Sequence, residues 1–241
     1  MPKKKQILEL PSDTEKEKGY FASFYLNPKY SDLTIICGTK TFPGHRIIVC
    51  SQSKYFSHAC DGNFKEALSR EIVLKDHEPI LVEPTLQYLY TGNYTVSPPF
   101  DGPAAFDDPA VATETHQSTE EFLKRHISCF HALMYLQGEY FQIDGLKVLA
   151  KGYFRASFLG RCDMDSFPAA VEEVYRSTAK HDRGLKDLVI ELMMAKLRTF
   201  QDEQKQAVKK LLEDIPEFSH DLCVALMDRH ECRCVEPYSM Y

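Results

Sequence analysis

The chain has 241 residues, 44% of them hydrophobic, with 29 Lys and Arg against 35 Asp and Glu, a formal net charge of −6. That length and apolar content suffice for a real core, while the acidic balance excludes the basic excess that phosphate-backbone binding needs, so nucleic acid is not an expected partner. No apolar run approaches the ~18 residues that cross a bilayer, and MPKKKQILELP lacks the apolar stretch of a secretory signal, so a membrane is not expected either and the chain is placed in the cytoplasm, the nucleus or both.

Residues 1–18 are charged and poor in apolar side chains and read as a mobile arm, whose Lys3, Lys4 and Lys5 raise the question of nuclear import. From Gly19 the composition turns aromatic. Tyr20, Phe21, Phe24, Tyr25 and Leu26 have helical spacing and stop before Pro28, which predicts a short helix with an apolar face. DLTIIC alternates, Gly38 supplies a turn and TKTF resumes, so Asp32 to Phe42 reads as a β-hairpin. In SQSKYF, Ser51 and Ser53 are candidate N-caps for a second short helix carrying Tyr55 and Phe56 and broken at Gly62. EIVLKD, 71 to 76, is a third short strand, and a helix from Pro79 to a stop at Gly92 follows. Residues 95–120 are acidic and rich in proline, with no Lys or Arg, and predict a flexible insertion. Order returns at Glu121, where Leu123, Ile127, Phe130 and Met134 form an apolar stripe that marks a largely buried helix. Helical runs continue over 146–158, 167–178, 185–200, 203–215 and 219–229, and no period of ~20 to 50 residues repeats.

His45, between Phe42 and Ile47, is open to three readings: a catalytic base, a metal ligand, or part of a buried framework. Catalysis would require a nucleophile, and Cys50 in its Ile-Ile-Val-Cys run reads as an inert buried thiol. The eight cysteines are scattered, most among apolar neighbours, and read as reduced thiols rather than a disulfide framework. His220, Cys223, His230, Cys232 and Cys234 would supply enough zinc ligands, but H-x-x-C and H-x-C-x-C lack paired CxxC knuckles, and Cys223 within LCVAL reads as a core thiol. No metal or cofactor is therefore expected. Lys205, Lys209 and Lys210 share a helix face with nearby acids and read as solvated. Phosphate-binding glycine loops and nucleophile elbows are absent from the sequence.

Taken in order, SDLTI, F-x-x-H-R, S-x-x-F at Ser53 and Phe56, F-K-E before I-V-L, and Q-Y-L-Y-T-G-N-Y resemble the BTB/POZ domain from about Ser31 to Tyr94, and the helices from Glu121 to about Phe158 fit its remainder. The interrupted form with an acidic, Pro-rich insertion looks like fungal members. The resemblance implies an α+β fold, a small sheet with a cluster of helices, followed by an all-helical extension: an arm over 1–18, a BTB/POZ domain over 19–158 with its insertion at 95–120, and the extension over 159–241.

It also implies a non-enzymatic interaction module with a homodimer and, through Phe64 and Glu66, a cullin scaffold of ubiquitin ligases as partners, with an unknown protein substrate on the later helices. A nuclear transcription-associated or structural assembly protein is the alternative. His45, Ser53 and Phe56 match framework positions. Asp32 and Arg46 match a charged feature close to the dimer surface and are expected as a buried charge pair whose single loss would cost about 3 to 5 kcal/mol, in preference to a strand-start Asp and a solvated Arg, while the aromatic helix of Tyr20, Phe21, Phe24 and Tyr25 is the natural apolar surface for an isologous dimer, or else packs on its own domain.

Overall fold

In the computed structural model, residues 20–61, 65–96, 127–158, 166–197 and 202–234 are described, the last stretch with side chains over 205–229. The expectations for the arm at 1–18, for Phe64, for most of 95–120, for the start of the helix at Glu121 and for the side chains of His230, Cys232 and Cys234 lie outside these residues. Contacts divide the chain into two compact units, residues 1–103 with 137–146, and 104–136 with 147–241.

The first unit is built on a three-stranded sheet of order β2-β1-β3. β1 (Leu33–Cys37) sends Leu33, Ile35 and Cys37 into the core and leaves Thr34 and Ile36 half-buried, the period-two pattern of a sheet covered on one face. It pairs antiparallel with β2 (Lys40–Gly44) across the two residues 38 and 39, where Gly38 takes φ +57 at no steric cost. β2 runs two residues past the expected end because Pro43 is tolerated on an edge strand. β3 (Glu71–Val73) lies parallel to β1, with Ile72 opposite Ile35, and is shorter than the expected 71–76.

Helices α1 (Arg46–Gln52) and α2 (Lys54–Asp61) are separated only by Ser53, and α3 (Lys65–Ser69) is a single turn that the sequence pattern did not disclose. α4 (Pro79–Thr91) starts on proline and ends as expected at Gly92, whose φ of +74 lets its N–H bond to the Tyr88 carbonyl at 2.7 Å. The expected helix at 20–26 is a short turn: 20 and 21 are helical, Ala22–Phe24 is 3-10, and Tyr25 is already extended. So few residues cannot sustain an α-helical nucleus alone.

The second unit draws on helices α5 (Ile127–Tyr140), α6 (Asp144–Ala156), α7 (Phe167–Ser177), α8 (Gly184–Lys196), α9 (Asp202–Asp214) and α10 (Pro216–Cys234). α5 buries Phe130 and Met134 of its expected stripe together with Cys129 and Tyr135, whereas Ile127 at its start is 46% exposed. Phe154, Phe158 and Phe167 meet edge to face at 5.3 and 5.2 Å. Lys186 of α8 is fully buried, with its ammonium 2.8 Å from Glu217 and 5.4 Å from the centre of the Tyr175 ring. Cys223 is exposed rather than in the core, since its neighbour Leu222 takes the inward position and a helix turns about 100° per residue. Among the described residues no helix is long and apolar enough to cross a membrane.

Burial also sets a pH response. His131 on α5 is 7% exposed, and burial pushes its imidazole down to about 4. The folded protein keeps it neutral while the unfolded chain takes up a proton below about 6.5, so its effect is to lower stability as pH falls from 6.5 to 4. Between pH 7 and 5 this amounts to about 2 kcal/mol. Urea unfolding of His131→Phe across that range is expected to show a correspondingly shallower loss than the parent chain; parallel curves would rule out this residue as the cause.

Candidate interaction surface

His45 is locked by its own unit. The N–H on its Nε2 donates to the Lys29 carbonyl at 2.9 Å, which leaves Nδ1 to accept from the Tyr90 hydroxyl at 2.8 Å, while the His45 main-chain N–H donates to that same oxygen at 3.0 Å. Both ring nitrogens are occupied, a geometry suited to holding the N-terminal segment, the start of α1 and the end of α4 together. Burial pushes the Tyr90 phenol up to about 12, so it stays a donor. Ser53 joins a second set of parts. Its hydroxyl donates to the Phe141 carbonyl at 2.7 Å and accepts the Phe56 N–H at 3.2 Å, so it caps α2 while pinning the 137–146 segment; Ser51 instead bonds the Ile48 carbonyl. Phe56 is fully buried and stacks on Phe141 at 5.1 Å and 8°.

The expected buried pair of Asp32 and Arg46 is not formed. Asp32 is exposed and accepts the Arg46 main-chain N–H at 2.8 Å, acting at the start of α1, whereas the Arg46 guanidinium turns to the Cys60 carbonyl at 2.6 Å and to Asp61 at 3.5 Å. The reason is geometric: an Asp just before a helix finds free N–H donors, and the long Arg side chain reaches the end of the neighbouring helix.

The aromatic set divides. Tyr25 donates to the Glu83 carbonyl at 3.3 Å and lies 6.0 Å from the Tyr90 ring, and Phe24 lies 5.4 Å from His45, so both serve their own unit. Tyr20 (82% exposed) and Phe21 (42%) face outward, together with Tyr30 (74%) and Ile47 (80%), which the sequence reading missed because isolated apolar residues carry no periodic signal. Phe24 stands 6.5 Å from Tyr30 and 5.4 Å from His45, which brings the short turn at 20–24 to the segment before β1 and to the start of α1, where Asp32 and Arg46 meet.

A second area surrounds Glu66, half-buried in α3, where Leu68 is 84% exposed. Tyr55 is pushed up to about 12 by burial, by its hydrogen bond with Tyr140 and by the charge of Glu66, and its ring lies 5.2 Å from that of Tyr140. His77 meets Tyr140 at 4.3 Å, and burial holds its imidazole below the usual value. A surface pocket of about 400 Å³ lies elsewhere in the unit, between α1, α2 and 142–145, with Cys50, Lys54, His58, Tyr88 and Gly145 on its walls. A Cβ at Gly145 would stand 2.2 Å from the Tyr88 hydroxyl, so any larger residue on this wall would have to displace that phenol. Among the described residues no three His, Cys, Asp or Glu side chains come together as metal ligands.

Two substitutions test this arrangement by chemical unfolding. Tyr90→Phe removes the partner of His45 Nδ1 and N–H in a buried setting and is expected to cost about 2 to 3 kcal/mol. Asp32→Asn keeps an oxygen acceptor for the Arg46 N–H and is expected to cost less than about 1 kcal/mol; a loss of 3 kcal/mol would restore the buried charge pair.

Comparison with known proteins bears on the same segment. Residues 21–105 match the BTB/POZ domain. Human Kelch-like protein 30 is 31% identical over 88 residues, 36% of this chain and 15% of that protein. Kelch-like protein 40b of Danio rerio is 38% identical over 71 residues, 28% of this chain and 12% of its own length. Human Kelch-like protein 41 is 24% identical over 194 residues, 77% of this chain and 31% of that protein. The chain thus spans about a third or less of these relatives. They are animal proteins, so the likeness is to BTB proteins broadly rather than to fungal members. The solved BTB domain of zebrafish PATZ1 covers 63% of this chain and 99% of that domain at 11% identity with a TM-score of 0.39. The chain therefore carries a BTB/POZ domain, a small three-stranded sheet set among helices, and continues into an all-helical region.

Proposed function

We propose that this chain is a non-enzymatic protein-interaction module that forms a homodimer through its outward aromatic area and engages a cullin scaffold through Phe64 and Glu66. The observation that carries the first part is the exposure of Tyr20, Phe21, Tyr30 and Ile47 in the segments that flank the Asp32–Arg46 hydrogen bond. Large apolar side chains grouped on a surface lose least free energy when a second surface covers them. For a C2 dimer the same patch meets itself, and the mixed aromatic and polar character suits that arrangement.

The second part rests on the Phe64-Lys65-Glu66 sequence and on its surroundings. The charge of Glu66 is felt at Tyr55, whose ring lies 5.2 Å from that of the 50% exposed Tyr140, so an acidic group lies near aromatic surface. An apolar anchor supplies affinity in such a contact and a nearby carboxylate sets orientation. A protein substrate would then use the helices of the second unit.

Light scattering coupled to gel filtration, with and without a cullin N-terminal fragment, tests both parts. The expected result is a dimer alone and a larger complex on mixing, which Phe64→Ala/Glu66→Ala weakens at least tenfold, about 1.4 kcal/mol or more, while the dimer persists. A dimer that ignores the cullin fragment would favour the assembly role, and a fluorescent fusion lacking Lys3 to Lys5 would then show whether nuclear placement depends on them. A monomer that binds nothing would overturn both parts.

A further inference from the structure

The surface pocket between α1, α2 and 142–145 lies wholly within the first unit, and its polar walls fall into two groups. Ser51, Gln52, Ser53 and Ser57 are spent on their own unit, donating to the Ile48, Leu89 and Phe141 carbonyls and to the Asp61 carboxylate. Lys54 and His58, one turn apart on α2, and Gln142 and Asp144, between α5 and α6, are exposed on the same pocket. Among the described residues these four side chains enter no hydrogen bond or ion pair, with each other or with the rest of the unit.

Two positions show that the pocket is shaped by its side chains. α5 ends with the Gln142 N–H on the Glu139 carbonyl at 3.1 Å and the Ile143 N–H on the Gly138 carbonyl at 2.7 Å, and this closure sets Gln142 in the left-handed region at φ +54. Glycine is the usual residue at that point of a helix end, because a Cβ makes left-handed backbone unfavourable. A glutamine there holds a carboxamide on the pocket against the preference of its own backbone. Three residues on the reverse holds: Gly145 is in the first turn of α6, where the backbone does not call for glycine, and a Cβ there would crowd the Tyr88 hydroxyl on the pocket wall.

We propose that this pocket binds a small zwitterion of the amino-acid or short-peptide class, its carboxylate held by Lys54 and His58, its ammonium by Asp144, and its amide group by the Gln142 carboxamide. The charges of the wall select for both signs at once. A simple anion would meet the Asp144 carboxylate and a simple cation the Lys54 ammonium, each a like-charge contact that only a dipolar ligand avoids. A volume of about 400 Å³ lies in the usual range for small-ligand sites, and walls made mainly of polar groups suit a polar occupant. The site depends neither on dimer formation nor on a cullin.

The test follows the amide NMR spectrum of the isotope-labelled full chain as glycylglycine is added at pH 7. Saturable shifts at the amides of 54–58 and 142–145 are expected, and N-acetylglycine, which keeps only the carboxylate, and glycinamide, which keeps only the ammonium, are expected to bind at least about tenfold more weakly. Asp144→Asn is expected to bring glycylglycine down to the level of N-acetylglycine. Gln142→Gly is expected to keep or raise the midpoint of urea unfolding, since glycine suits that backbone, while weakening glycylglycine at least about tenfold; a purely structural glutamine would show the opposite pattern. The proposal is overturned if glycylglycine gives no saturable shift, if N-acetylglycine binds as well, or if Gln142→Gly binds like the parent chain. The three compounds compared on the wild-type chain decide the matter even where a variant fails to fold.

Discussion

The Tyr90 hydroxyl holds the first unit in register. It donates to His45 Nδ1 and accepts the His45 N–H, and the far side of the same imidazole reaches the Lys29 carbonyl. Three stretches distant in sequence meet at one ring: the segment before β1, the start of α1 and the last turn of α4. None of these groups can be left without a partner in a buried site without a cost of about 1 to 3 kcal/mol each, so the network fixes how the outward aromatic area is presented. Tyr20 and Phe21 are exposed because Phe24 and Tyr25, on the same short turn, are already committed inward to His45, Tyr90 and Glu83.

The helices of the second unit rely on charge as much as on apolar packing. Asp182 accepts from Tyr135 at 2.8 Å and from the Gly184 N–H at 2.9 Å and pairs with Lys147 at 3.3 Å; these donors hold its carboxyl below the usual range despite burial. Asp221 does the same for Tyr175 and Arg183, at 2.8 and 2.7 Å. With Lys186 buried against Glu217, these groups set the register of α7, α8 and α10. A buried charge without its partner is far costlier than a misplaced leucine, so such pairs penalise sliding of one helix along another.

Much of this fold was legible from residue order. The alternation in β1, the proline and glycine that bound α4, and the stripe of α5 each express a local rule that tertiary contacts did not override. What was hidden depended on distance in space. Arg46 and Asp32 carry opposite charges in the right neighbourhood, but only the fold brings Cys60 and Asp61 nearer to the guanidinium. Lys186 follows the pattern of a solvated flank, and no local signal announces that Glu217, thirty-one residues on, will receive its ammonium in the interior. At the surface, the Phe-x-Glu motif and the aromatic turn were visible as residue types, whereas Tyr30, Ile47, His77 and Tyr140 came into view only once the chain had brought them beside those motifs.

Ser53 and Phe56 are finished only by Phe141, a residue 88 positions beyond the serine. A nascent chain that has emerged only as far as α4 holds the sheet and α1 to α4 but lacks the acceptor for Ser53 and the ring that covers Phe56. The first unit thus closes around a late segment, and contacts of such sequence separation form after the local ones. Until synthesis passes about residue 146, the floor of the α1–α2 corner stays open and its aromatic surface is available to chaperones or to misassembly. The order of translation, and not only the final packing, is written into the position of that one serine.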